Sequence, residues 1–269
     1  MIEPDKPGAP DVKQCCALLY GSDAARFLLG DSFHPGGIDL TLELAGMLHL
    51  NAGSSVLDVA SGKGTSAFAV AERFGCRVLG IDLSEANVAE ANAESLKRGL
   101  SERVQFTVAD AEALPFPSAG FDALLCECAF CTFPDKAQAA FEFARVLRPG
   151  GVLGMSDLTR AVGPLAELDS LLAWIACIGD AQPLASYADW LVNAGFEITA
   201  GITRDDALQQ MVEQIRSKLL LAEIMIGLKK LTLPGFDIAQ AKQFASAAGR
   251  AIKDNKLGYA LVVAELRPR

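Results

Sequence analysis

The chain has 269 residues, 51% of them hydrophobic and 21% charged, enough to bury one substantial core without disulfide staples. Its net charge of −9 argues against nucleic acid as a partner, because affinity for phosphate backbones comes from clustered Lys and Arg; a small-molecule partner is expected instead. Met1–Pro10 has neither a basic start nor an apolar run, and the apolar stretch Leu219–Leu228 is broken by Glu223, so no leader or membrane anchor is expected and the cytoplasm is the default location.

In chain order, Asp11–Leu29 reads as one or two short helical pieces, and His34-Pro-Gly-Gly37 as a turn. Leu40, Leu42, Leu44, Ala45, Leu48 and Leu50 recur at mixed helical spacing, which predicts a helix packed beside the first strand. Residues 1–50 are thus expected to form an N-terminal helical cap, and 51–269 the main domain. From Ser55 the rhythm is strand 55–59, helix 64–74, strand 77–82, helix 85–99, strand 104–108, strand 122–127, helix 135–147 and strand 152–157. Strands alternating with helices predict a parallel sheet covered on both faces. Helices are then expected over Leu165–Ile178 and Tyr187–Ala194, a strand over Phe196–Thr203, long helices over Asp205–Leu228 and Asp237–Lys253, and a last strand over Tyr259–Leu266. The fold class expected is α/β: a doubly wound, mostly parallel, seven-stranded sheet ending in an antiparallel pair, with a helical insert at about 205–255.

The first strand runs into Ala60-Ser-Gly62-Lys-Gly64-Thr-Ser66 and on into a helix, and such a turn brings backbone N–H groups close to a ligand. A dinucleotide fingerprint would place glycine at 60, 62 and 65, where this chain has Ala60, Gly62 and Thr65. Asp82 ends the second strand about twenty residues further on, a position from which a carboxylate accepts hydrogen bonds from ribose hydroxyls.

The stretch from Asp58 through Gly64, with Asp82, Val108-Ala-Asp110-Ala111, Leu114-Pro-Phe-Pro-Ser-Ala-Gly-Phe-Asp122 and Arg145–Gly151, resembles the class I S-adenosylmethionine (SAM) methyltransferases over roughly residues 50 to 160. Ala60 departs from their first glycine, which a small residue satisfies if its φ stays negative. The resemblance implies a Rossmann-like methyltransferase fold with SAM as cofactor and S-adenosylhomocysteine as product. It implies cofactor contacts from Asp58, Ala60, Gly62, Gly64, Asp82, Leu83, Asp110, Ala111 and Cys126.

SAM carries its own electrophile, so the protein must align an acceptor with it. Only His34 and His49 are available as imidazole bases, and the role of His34 is left open. Seven cysteines with no dense framework are expected to be thiols. Cys126-Glu-Cys128-Ala-Phe-Cys131 follows the fourth strand, where substrate contacts lie in this fold; the alternative is that these are small core side chains. Zinc is disfavoured by the spacing.

The segment Asp122–Lys136, with Cys128 eight positions before Lys136, and the segment Cys177-Ile-Gly-Asp-Ala-Gln-Pro-Leu are similar to the arsenite methyltransferases. That resemblance implies Cys128 and Cys177 as the reacting-site thiols, with Cys15 or Cys16 as a third, holding trivalent arsenic while its lone pair attacks the methyl group. The alternative is a small organic acceptor with the cysteines as packing. A SAM-binding protein without catalysis is a third reading, and a homodimer is left open.

Overall fold

The computed structural model describes residues 34–165, 168, 177–228 and 237–268. Cys15, Cys16, the helical pieces expected over Asp11–Leu29 and most of the helix expected over Leu165–Ile178 lie outside them. The elements in chain order are α1 (Gly37–Gly46), β1 (Ser55–Val59), α2 (Thr65–Phe74), β2 (Arg77–Asp82), α3 (Glu85–Lys97), β3 (Val104–Val108), β4 (Phe121–Glu127) and a 3-10 turn (Phe130–Thr132). They continue with α4 (Lys136–Val146), β5 (Leu147–Arg160), α5 (Leu184–Asn193), β6 (Phe196–Thr203), α6 (Asp205–Gly227), α7 (Ile238–Lys253) and β7 (Leu257–Leu266).

The seven strands lie in the order β3-β2-β1-β4-β5-β7-β6, with β7 antiparallel to both β5 and β6 and the remaining pairs parallel. The expected doubly wound, mostly parallel sheet is therefore the one observed. Its central strands read as unbroken apolar runs because helices cover both faces: Val56, Leu57, Ala123, Leu124, Leu125 and Cys126 are fully buried. The chain winds outward in one direction from β1 and in the other from β4. A crevice opens between their carboxyl ends, and ligands of open parallel sheets bind there.

Local chemistry sets the ends of these elements. Ser84 accepts a hydrogen bond from the Asn87 N–H and Asp135 from the Gln138 N–H, each capping the helix that follows. The expected strand 152–157 is longer, starting at Leu147. Phe121 pairs with Leu147 and Ala123 with Val152, so Arg148–Gly151 bulge outward, and Gly150 at φ 77 makes the bend.

The helix expected near 40–50 is α1. It packs against α2 and β5, and its Leu40, Leu44 and Ala45, with Leu48 beyond it, join the main hydrophobic core. α6 and α7 pack on one another and on β7, forming the helical insert between the last two strands. Among the described residues no helix is long and apolar enough to cross a membrane.

Candidate active site

The turn after β1 is built on three positive φ angles: 56° at Ala60, 54° at Gly62 and 81° at Gly64. The condition expected of Ala60 is thus corrected, since its backbone is left-handed. The N–H of the next residue, Ser61, donates to Ile81 O at 2.8 Å, and this bond holds the reversal despite the strain on Ala60. Gly62 and Gly64 serve different ends. A Cβ on Gly64 would lie 2.3 Å from Phe106 Cζ, so this glycine lets the turn close onto the aromatic ring. A Cβ on Gly62 would meet nothing within 4 Å, so that side of the turn is open space.

Acidic side chains gather around the turn. Asp82 Oδ2 accepts from the Gly62 N–H at 2.9 Å, and its Oδ1 from the Ser84 N–H at 2.8 Å. Oδ1 also accepts from Asn87 Nδ2 at 3.4 Å, so Oδ2 is the oxygen that retains a lone pair for a further donor. Burial raises the Asp82 carboxyl above its ordinary range, against the pull of those bonds. Asp58 is 2% exposed, and burial, then Glu127, then Asp82, push its carboxyl well up. Its Oδ2, like Ser61 Oγ, is buried with no hydrogen-bond partner. Asp110 sits at the end of β3 and accepts from the Glu112 N–H at 3.0 Å, beside the buried Ala111. Leu83 and Val108 are 42% and 45% exposed at the same edge, two apolar side chains left facing outward beyond β2 and β3.

On the other side of the crevice the cysteines separate. Cys126 is fully buried within β4. The strand ends at Glu127, and Cys128 turns away at φ 51. The segment before α5 folds back so that Cys177, at φ 60, donates from Sγ to Cys128 O at 3.7 Å. The thiols of Cys128 and Cys131 both lie near enough to the Cys177 thiol to be raised by it, and the Cys131 thiol in turn acts on the Asp157 carboxyl. One cluster thus holds half-buried Cys128, Cys177, Cys131 and Asp157, the last 1% exposed near the end of β5.

Asp157 also accepts from the N–H groups of Cys131 and Leu158, each at 2.8 Å. Burial is the main reason that its carboxyl is raised to about 7. The thiols of Cys128 and Cys131 are pushed well above their usual range, Cys128 chiefly by its bond to Cys177 and Cys131 chiefly by burial, so they are held as neutral S–H groups. Buried Lys136 reaches Asp180 at 2.5 Å and fastens the returning segment to the start of α4.

A family model described as a methyltransferase domain matches residues 56–151. The 27-O-demethylrifamycin SV methyltransferase of Amycolatopsis mediterranei is 32% identical over 260 residues, covering 90% of this chain and 93% of that enzyme. The chain belongs to the class I SAM-dependent methyltransferases. Among solved structures, the [4+2]-cyclase SpnF aligns with this methyltransferase over 99% of this chain and 98% of its own, with a TM-score of 0.77 and 25% identity. A phosphoethanolamine N-methyltransferase of Haemonchus contortus, solved with phosphomonomethylethanolamine and S-adenosylhomocysteine, aligns over 99% of this chain and 62% of its own at TM-score 0.80 and 20% identity. The relative from Amycolatopsis is a methyltransferase named for a small organic molecule, and these similarities do not carry the finer resemblance to arsenite methyltransferases.

The residues of this methyltransferase suit its cofactor. Unpartnered Asp58 Oδ2 and Ser61 Oγ, the open side of Gly62 and three neighbouring carboxylates supply acceptors and negative charge for a ligand that carries a sulfonium and an ammonium group. Sequence reading overlooked Glu127 and Asp157. Both lie at or near the end of a predicted strand, the position that marked out Asp82, so the same rule applied to the fourth and fifth strands would have found them. Thr41 and Ser66, which hold Glu127, carried no signal, because a hydroxyl in a helix is ordinary until its partner is known.

Proposed function

We propose that this methyltransferase moves the methyl group of SAM to a hydroxyl group of a small organic acceptor. The observation that carries this reading is the similarity along nearly the whole chain to an enzyme named for an O-demethylated rifamycin. In this reading Asp82 accepts from the ribose hydroxyls and Leu83 and Val108 flank the adenine, while Asp110 and Ala111 meet its edge. Ala60, Gly62 and Gly64 shape the turn under the amino-acid end, beside Asp58. Bound there, the cofactor supplies a methyl group already activated on sulfur.

What remains for the protein is to hold the acceptor oxygen in line and to take up its proton. In this reading half-buried Cys128 meets the acceptor, and the cysteine cluster leads from it to Asp157. As the acceptor O–H passes its proton to Cys128 sulfur, Cys128 hands its own to Cys177, the Cys177 S–H turns from the Cys128 carbonyl to give its proton to Cys131, and the Asp157 carboxylate receives the last one from Cys131. No free thiolate forms, which suits thiols held neutral by burial. Cys128 and Cys177 are then wall and relay.

A second reading, trivalent arsenic held by thiols, draws on the meeting of Cys128, Cys131 and Cys177. Against it stand the raised thiols, since a soft centre is bound by thiolates. A methylation assay with labelled SAM separates the two. Label is expected to enter small hydroxylated organic acceptors. Label entering arsenite plus thiol instead, lost on Cys128→Ser but kept on Cys76→Ser, would establish the second reading.

The cofactor assignment has its own check. Asp82→Ala removes an acceptor from a buried polar site, which costs on the order of 1–3 kcal/mol, or roughly ten- to a hundredfold in SAM affinity. Unchanged affinity by calorimetry in the folded variant would remove Asp82 from the site.

A further inference from the structure

Glu127 ends β4 beside the crevice and has no part in the proton relay. Its side chain is only 5% exposed and is held from two helices. Thr41 Oγ1 of α1 donates to its two carboxylate oxygens at 3.0 and 3.2 Å, and Ser66 Oγ of α2 donates to Oε2 at 2.6 Å. His34 closes the group, with Nε2 at 3.3 Å from Thr41 Oγ1 and 3.8 Å from Glu127 Oε2. Three separate segments thus converge on one carboxylate.

Asp58 lies across the junction of β1 and β4. Val59 pairs with Cys126, so the residues flanking that pair, Asp58 and Glu127, belong to adjacent strand ends. Asp58 Oδ2 is buried without a partner, and Glu127 is the largest charged influence on it. Two carboxylates buried side by side, one held on one side by hydroxyl donors and one with an empty acceptor, are costly unless a cation joins them. No Lys or Arg is paired with either of them among the described ion pairs.

The cofactor is zwitterionic at its amino-acid end, and its α-ammonium group is a compact cation with three N–H donors. We propose that Glu127, together with Asp58, receives this α-ammonium group, and that Thr41 and Ser66 are positioning residues that aim the Glu127 carboxylate. The hydroxyls fix one side of the carboxylate and leave its remaining lone pairs for the ligand. The inference rests on the cofactor site and is independent of which acceptor is methylated.

Calorimetry on the full chain with three ligands tests it: SAM, S-adenosylhomocysteine, and 5′-methylthioadenosine, which keeps the adenine, ribose and thioether but lacks the amino-acid chain. Glu127→Gln keeps the volume and most acceptors but removes the charge. It is expected to weaken SAM and S-adenosylhomocysteine alike, by about tenfold or more, as loss of a charged hydrogen bond does. Binding of 5′-methylthioadenosine is expected to stay within twofold (roughly the spread between repeat titrations), which also shows that the variant is folded. Ser66→Ala should give the same pattern, about threefold, through a less well aimed carboxylate. Equal losses for all three ligands would assign Glu127 to maintenance of the fold and overturn the proposal. Weakening of SAM alone would point to the sulfonium, and no change to neither group; both outcomes overturn it.

Discussion

Asp157→Asn is expected to slow methyl transfer to a hydroxyl acceptor by about 10²- to 10⁴-fold, the usual worth of a positioned general base, with SAM affinity unchanged. The amide keeps the size of the carboxylate but, with a single oxygen, accepts from only one of the Cys131 and Leu158 N–H groups, which bind separate oxygens of Asp157, so the rate is read beside a melt that shows the variant folded. In the native protein Asp157 titrates near pH 7, raised from 3.8. Only the ionised form accepts a proton, so kcat/KM should climb about tenfold per pH unit below that value and level off above it. The variant should lose this slope. An equal rate in the variant, or an unaltered pH profile, would place the proton elsewhere.

The same shift has a consequence for stability with a definite sign. The folded protein holds this proton more tightly than the unfolded chain, so the contribution of Asp157 to stability is fully present below about pH 3.8 and is lost as pH rises through about 7. Asn carries no such dependence. Thermal melting at pH 6 and pH 8 should therefore show the native protein losing ground to Asp157→Asn at the higher pH.

Gly64→Ala is expected to lower stability by about 2–4 kcal/mol, from a forced positive φ together with overpacking. The added Cβ would lie 2.3 and 2.8 Å from two atoms of the Phe106 ring and 3.1 Å from Phe68, while the backbone stays at φ 81. Phe106 has little room to yield, because it also lies over Gly80, where a Cβ would be 2.3 Å from the same ring. Gly62→Ala is the counterpart. It carries only the strain of φ 54, about 1 kcal/mol, with no clash, but its methyl group points into the open space assigned to the cofactor. Denaturant melts should separate the two, the first variant destabilised and the second nearly native, and calorimetry should show SAM binding lost in the second. A stable Gly64→Ala variant would mean that the Phe106 contact is soft.

The alternation of strands and helices, the glycine turn, the capping by Ser84 and the acid after β2 were all legible in the sequence. Each depends on a short stretch of chain: side-chain period, backbone freedom at glycine, a hydroxyl three residues ahead of an N–H. The doubly wound arrangement and the ligand edge followed from that alternation, because parallel strands joined by helices wind in few ways, while the strand order came from the structure.

Only the tertiary structure brought together groups far apart in the chain. Cys128 and Cys177 are 49 residues apart and meet because the segment before α5 folds back onto the end of β4. Local resemblance had marked both cysteines, but it said nothing of Cys131 and Asp157 as their neighbours, or of the burial that keeps the thiols protonated. Likewise Glu127 gains its meaning from Thr41 and Ser66, 86 and 61 residues away. What the sequence determined by itself was which elements form and where a cofactor turn lies, since those are set by neighbours along the chain. Which thiols are neutral, which carboxylate titrates near pH 7 and which one stands without a counter-charge were decided by the fold. Desolvation and through-space charge depend on distances that no local pattern records.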